Sequence, residues 1–95
     1  MLLEMPYKVG DTVSVKLTSG EELVAKLEDE TSDKVVLHKP MSLTATQQGI
    51  GLAPFMFTVS PDAKLNINVR NVICMSKTVD EMAKQYISSS TGIAV

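Results

Sequence analysis

Ninety-five residues, 44% hydrophobic and 21% charged, are enough for one packed domain and too few for two cores. This composition excludes a disordered chain. A net charge of −2 and a pI near 5.2 exclude any overall attraction to nucleic acid, so such binding would need a local basic or stacking surface.

Met1–Pro6 lacks the basic leader and long apolar centre of a signal peptide, and no apolar stretch reaches membrane-span length. The expected location is the cytoplasm. Leu2, Leu3 and Met5 are expected to cover one end of a sheet, and Gly10-Asp11 turns into the first strand. Val13, Val15 and Leu17 alternate with Thr12, Ser14, Lys16 and Thr18, the period of a half-buried strand. Ser19-Gly20 supplies a tight turn. Leu23, Ala25 and Leu27 then alternate with Glu22, Lys26 and Glu28. The polar turn Glu30–Lys34 leads to the apolar run Val35-Val-Leu37. These three strands form an antiparallel meander.

The third strand continues to Thr46, bent or bulged at Pro40, which cannot donate to a ladder. Met41, Leu43 and Ala45 alternate with Ser42, Thr44 and Thr46, so one face is expected to be buried. Gln47–Pro54, with two glycines and a proline, reads as the longest exposed loop. Phe55, Phe57 and Val59 restart a strand that Ser60–Ala63 interrupts, and Leu65, Ile67 and Val69 continue it. Arg70-Asn71 makes a short turn into Val72–Met75. There Cys74, the chain's one cysteine, excludes an internal disulfide and reads as a small buried hydrophobe in a reducing compartment.

A helix over about 79–89 closes the chain. Thr78 and Glu81 have capping-box spacing, and Val79, Met82, Ala83, Tyr86 and Ile87 share one apolar face. That face either covers a barrel end or docks a partner. The expected fold is therefore mainly β: a small, five-stranded, strongly bent antiparallel barrel over about 9–77 with a C-terminal helix, one domain spanning 1–95.

No enzyme chemistry is indicated. One histidine, His38, has no evident acid to orient it and no nucleophile beside it. No metal is expected either, because no ligand spacing accompanies His38 and the acidic run Glu28-Asp-Glu30 reads as a solvated turn. Gly49-Ile-Gly51 lacks the lysine and the strand–helix setting of a phosphate loop. No cofactor is implied.

In order and spacing the motifs resemble the Sm/LSm family, and in particular the small Sm-like proteins of marine phages (cyanophages). The first motif corresponds to Val13–Leu17, the turn at Gly20, and Leu23–Leu27 running into Glu28–Asp33. The second corresponds to Ile67-Asn-Val69, Arg70-Asn71 and Val72–Met75. The resemblance implies an SH3-type barrel whose fourth strand pairs with a neighbour's fifth, giving homo-oligomeric rings of about five to seven subunits. It also implies that the turn after the second strand and the arginine turn line a pore that holds uridine-rich single-stranded RNA. The residues carried over are Asp33, Lys34, Arg70 and Asn71. A planar guanidinium at Arg70 could stack on a base or hold phosphate, or bond turn carbonyls or an acid across an interface. The family's Asp…Asn pair is missing from the first motif, and Asn71 stands where glycine is usual. A ring acting as a protein-binding scaffold, through the 47–54 loop or the C-terminal helix, is the alternative.

Overall fold

The computed structural model describes residues 7–92, so the expectation for Leu2, Leu3 and Met5 lies outside the described residues. The strands are β1 (Thr12–Leu17), β2 (Glu22–Glu30), β3 (Lys34–Thr46), β4 (Gly49–Pro54), β5 (Lys64–Asn68) and β6 (Val72–Lys77). A 3-10 turn, Val69–Asn71, joins β5 to β6, and helix α1 (Asp80–Gly92) follows. No described helix is long and apolar enough to cross a membrane.

All six strands belong to one antiparallel sheet in the order β4-β3-β2-β1-β6, with β5 also pairing to β3. The inner half of β3 pairs with β5 (Val35↔Ile67, Leu37↔Leu65), and its outer half with β4 (Leu43↔Leu52, Ala45↔Ile50). β4 and β5 are thus two pieces of a single fourth strand, separated by the excursion 55–63. This is the expected five-stranded sheet with its fourth strand broken. The break corrects two expectations. Gln47–Pro54 is not a loop: Gly49, at φ 123°, turns the chain and β4 runs back along β3. Phe55–Val59 is not a strand, because the chain leaves the β3 edge after Pro54 and returns at Lys64.

Alternation places the main core. Val13, Val15, Leu17, Leu23, Ala25, Leu27, Val35 and Leu37 pack together, each no more than 5% exposed. Burying each of these valine and leucine side chains contributes on the order of 2 kcal/mol.

A second, smaller core lies on the other face of the sheet, where Val24, Met41 and the α1 residue Tyr86 pack with Leu43 and Leu52. A β-bulge makes this possible. Val24 opposes Met41, but Lys26 opposes His38, so β3 spends one residue more than β2 across this step. The extra residue is Lys39, which takes the left-handed conformation at φ 54°. Tyr86 then donates from its hydroxyl to the carbonyls of His38 (3.1 Å) and Lys39 (2.8 Å), satisfying the backbone that the bulge exposes.

Helix α1 therefore covers the face of the sheet opposite the main core, rather than the expected barrel end. The expected capping box does not form. Thr78 is buried, its hydroxyl shares a 2.8 Å hydrogen bond with that of Ser14, and its N–H donates to the Thr12 carbonyl. Along the expected apolar face, Tyr86 is buried, Met82 and Ala83 are half-buried, and Val79 and Ile87 are exposed.

Candidate nucleic-acid interface

The turn between β2 and β3 is shaped by Thr31, whose hydroxyl accepts from the N–H groups of Asp33 and Lys34, both at 3.2 Å. The turn between β5 and β6 is shaped by Asn68, whose side-chain oxygen accepts from the Arg70 N–H at 2.9 Å. One backbone hydrogen bond joins them: Val69 N–H donates to the Asp33 carbonyl at 3.0 Å, continuing the ladder in which Lys34 opposes Asn68. Asp33, Lys34, Arg70 and Asn71 therefore lie at one end of the sheet. Asn71 also reaches the β1–β2 turn, its carbonyl accepting from Thr18 N–H at 2.8 Å. The sequence spacing brings together turns that are thirty-odd residues apart in the chain because β3 and β5 are paired neighbours.

All four of these residues are exposed. Neither Lys34 nor Arg70, the chain's single arginine, forms an ion pair among the described residues. The exposed Asp33 carboxylate sits in the same turn as Lys34, whereas Glu30 is engaged elsewhere. Tyr7 donates to Glu30 at 2.9 Å, and burial followed by this carboxylate pushes the Tyr7 phenol up. Glu28 faces His38 and Lys64. Lys34 and Arg70 thus outnumber the one carboxylate of these two turns, Asp33.

Sequence reading missed the neighbourhood of Asn71. A shallow groove beside it is lined by Thr18, Ser19, Phe55, Asn66 and Asn68, hydroxyl and amide groups around one aromatic ring. Such groups can read base edges, and the ring offers an apolar wall. The signal was present in the alternation of Asn66 and Asn68 with Leu65 and Ile67, which puts both amides on the outer face of β5.

His38 lies at the opposite end of the β3–β5 pairing. Its Nε2 is 3.0 Å from Asp62 and its Nδ1 3.4 Å from Glu28, with Lys39 3.6 Å from Asp62 and Lys64 3.8 Å from Glu28. The hydrogen bond from His38 holds the Asp62 carboxyl below its ordinary range. No group of three metal-ligating side chains is found among the described residues. The cluster ties the 55–63 excursion back to β2 and β3. Because the Asp62 value is depressed in the fold, its contribution is present above the ordinary carboxylate range and lost as pH falls through the depressed value. Asp62→Asn is accordingly expected to speed proteolytic cutting within 55–63 at pH 7, with the difference from the parent chain shrinking in acid.

Among the described residues the sheet leaves the edges of β5 and β6 open. β5 pairs only on its β3 side and β6 only on its β1 side, and no ladder joins β5 to β6. Ile73 on β6 is 61% exposed, and Cys74, expected to be buried, is exposed. β6 is an edge strand without a cover; Val72 and Met75, three residues apart, both reach the core because the register slips between the Leu17↔Val72 and Lys16↔Cys74 pairs.

A strongly bent antiparallel sheet of this order, with its third strand passing from one core to another, is the Sm-like fold. A crystal structure of a heptameric archaeal Sm protein matches it with a TM-score of 0.52 and 15% identity, over 74% of this chain and 88% of that one. Neither a sequence model of a known family nor a curated protein sequence matches the chain.

Proposed function

We propose that this chain is the subunit of a homo-oligomeric Sm-like ring, of about five to seven copies, that binds single-stranded, uridine-rich RNA at its pore-side turns. The unpaired edges of β5 and β6 support assembly, because an open edge is a template for another chain and two such edges on one subunit give head-to-tail pairing. The similar archaeal Sm protein is itself heptameric. Pairing through these edges repeats the Asp33–Lys34 and Arg70–Asn71 turns around one axis. The observation that carries the RNA reading is the junction of those turns by the Val69–Asp33 hydrogen bond, with Lys34 and Arg70 exposed and unpaired beside it. Each ring then presents a circle of guanidinium and ammonium groups with one Asp33 carboxylate for every two of them, a net basic surface on an acidic chain.

The test is native mass spectrometry and binding titration with a short oligouridine. The parent ring is expected to gain one oligonucleotide, with affinity that falls as salt rises. Arg70→Ala should leave the ring intact and weaken binding about 10-fold or more. Unchanged affinity in that variant removes the role assigned to Arg70.

A ring that ignores oligouridine would favour the second reading, a protein-binding scaffold. One observation speaks for it: Phe57, 82% exposed, projects from the excursion 55–63 beside Met56 and Val59, with no basic residue from 40 to 61 to hold a phosphate.

A further inference from the structure

The β3–β4 hairpin is an arm whose chemistry differs from the rest of the chain. Residues 40–61 hold none of its nine basic and eleven acidic residues, and not its histidine. Within the arm, residues opposite one another share a face, so Met41/Pro54, Leu43/Leu52 and Ala45/Ile50 form one apolar stripe. Its inner end is covered: Met41 lies against Tyr86 and Val24, with Leu43 and Leu52 packed beside them. Its outer end is bare, with Ile50 55% exposed. The other face satisfies itself, the hydroxyls of Thr46 and Thr44 donating to the carbonyls of Gly49 (2.8 Å) and Gly51 (3.4 Å).

The outer edge of β4 is also unpaired, since β4 is the last strand on its side of the sheet. Exposed edges are ordinarily protected by charged side chains, by proline or by a bulge. Here Pro54 limits pairing at one end, and from Gly49 to Ala53 there is no charge and no bulge.

We propose that this arm docks on the arm of a second copy, β4 pairing antiparallel with β4 across a two-fold axis. Such pairing brings each strand against an identical one, so any charge on it would meet its like near the axis. An uncharged edge is the kind that pairs with itself without that repulsion. The same pairing covers the bare end of the apolar stripe with the partner's stripe. A foreign strand would be free to use complementary charge for selection, and the arm offers none. β4 and β5 lie along the same side of β3, but the bulge at Lys39 and the excursion 55–63 separate their outer edges. Docking through β4 therefore leaves the β5 and β6 edges free and joins assemblies rather than extending one. If the proposed ring holds, two rings of n subunits meet arm to arm as 2n, and multiple weak contacts act together.

The experiment is native mass spectrometry and sedimentation velocity of the full chain over a concentration series, with Ile50→Lys, Ile50→Glu and their equimolar mixture. The parent chain is expected to give 2n subunits. Each single variant should give n, because like charges now face across the axis, and the mixture should restore 2n. Should the chain form no ring, arm pairing alone gives a dimer that Ile50→Lys reduces to a monomer, so failure of the ring and failure of the docking are told apart. A parent chain that stays at n or at one copy at all concentrations overturns the proposal, as does a 2n species that either single variant leaves intact. Capture of an extended foreign peptide by a parent chain that never doubles overturns it in favour of that peptide.

Discussion

Leu37→Ala is expected to lower the unfolding free energy by about 2–5 kcal/mol. Leu37 is fully buried, opposes Leu27 on one side and Leu65 on the other, and so sits where β2, β3 and β5 meet. Truncation removes the transfer energy of the missing carbons and leaves a cavity, because the paired backbones on both sides cannot close in. A domain of this size has about 5–15 kcal/mol in total, so the variant should be close to the limit of folding. The measurement is the denaturant midpoint, with Val9→Ala as the comparison. Val9 is 57% exposed, and its truncation should change stability by less than about 0.5 kcal/mol. Equal losses in the two variants would show that the core is not where the sheet places it.

Tyr86 is the second large effect, and its ring and hydroxyl can be separated. Tyr86→Ala empties the second core and is expected to cost about 3–5 kcal/mol. Tyr86→Phe keeps the ring but leaves the carbonyls of His38 and Lys39 without their donor, a loss of about 1–3 kcal/mol. The hydroxyl also has a pH signature. Burial pushes the phenol from its ordinary 10.0 up to about 12. A group with a raised value in the fold contributes fully below its unfolded value, and the contribution fades as pH rises from 10 through 12. Stability should therefore decline across that interval in the parent chain and decline less in Tyr86→Phe, as read from denaturant midpoints at each pH. Parallel curves would mean that Tyr86 is not buried at the bulge.

Most of the sheet was legible because its inner strands alternate cleanly. Val13, Val15 and Leu17, and then Leu23, Ala25 and Leu27, declare their buried faces without help from distant residues, and the turns at Gly20 and Asn71 follow from local chemistry. The arm was not legible for a physical reason. Leu37 and Met41 are four apart, so simple alternation puts them on one face, yet they belong to cores on opposite faces of the sheet. The bulge expected at Pro40 is present and centres one residue earlier, on Lys39, whose left-handed backbone breaks the parity. Nothing in a lysine announces that conformation. It is held there from outside, by Tyr86 nearly fifty residues later. Gly49–Pro54 failed similarly: glycine and proline usually mark loops, but here Gly49 supplies the turn and Pro54 ends a strand.

The Asp33–Lys34 and Arg70–Asn71 turns were legible as separate motifs, and their adjacency followed from the family order. The groove of Asn66, Asn68 and Phe55 beside them was not. Phe55 arrives there only because the fourth strand breaks at that point.

The bulge at Lys39 also divides the chain by its tolerance of length change. Beyond Ser42, the last β3 residue paired with β2, β3 pairs only with β4, so residues added in matched numbers to both strands there lengthen the arm and leave the register of the inner sheet untouched. Two residues on each strand keep Leu43, Leu52 and Ile50 on their present side, whereas one on each turns the outer stripe over. Length drift in this hairpin should proceed by such paired steps, and the bent sheet beneath would carry arms of many reaches without a single change in its own core.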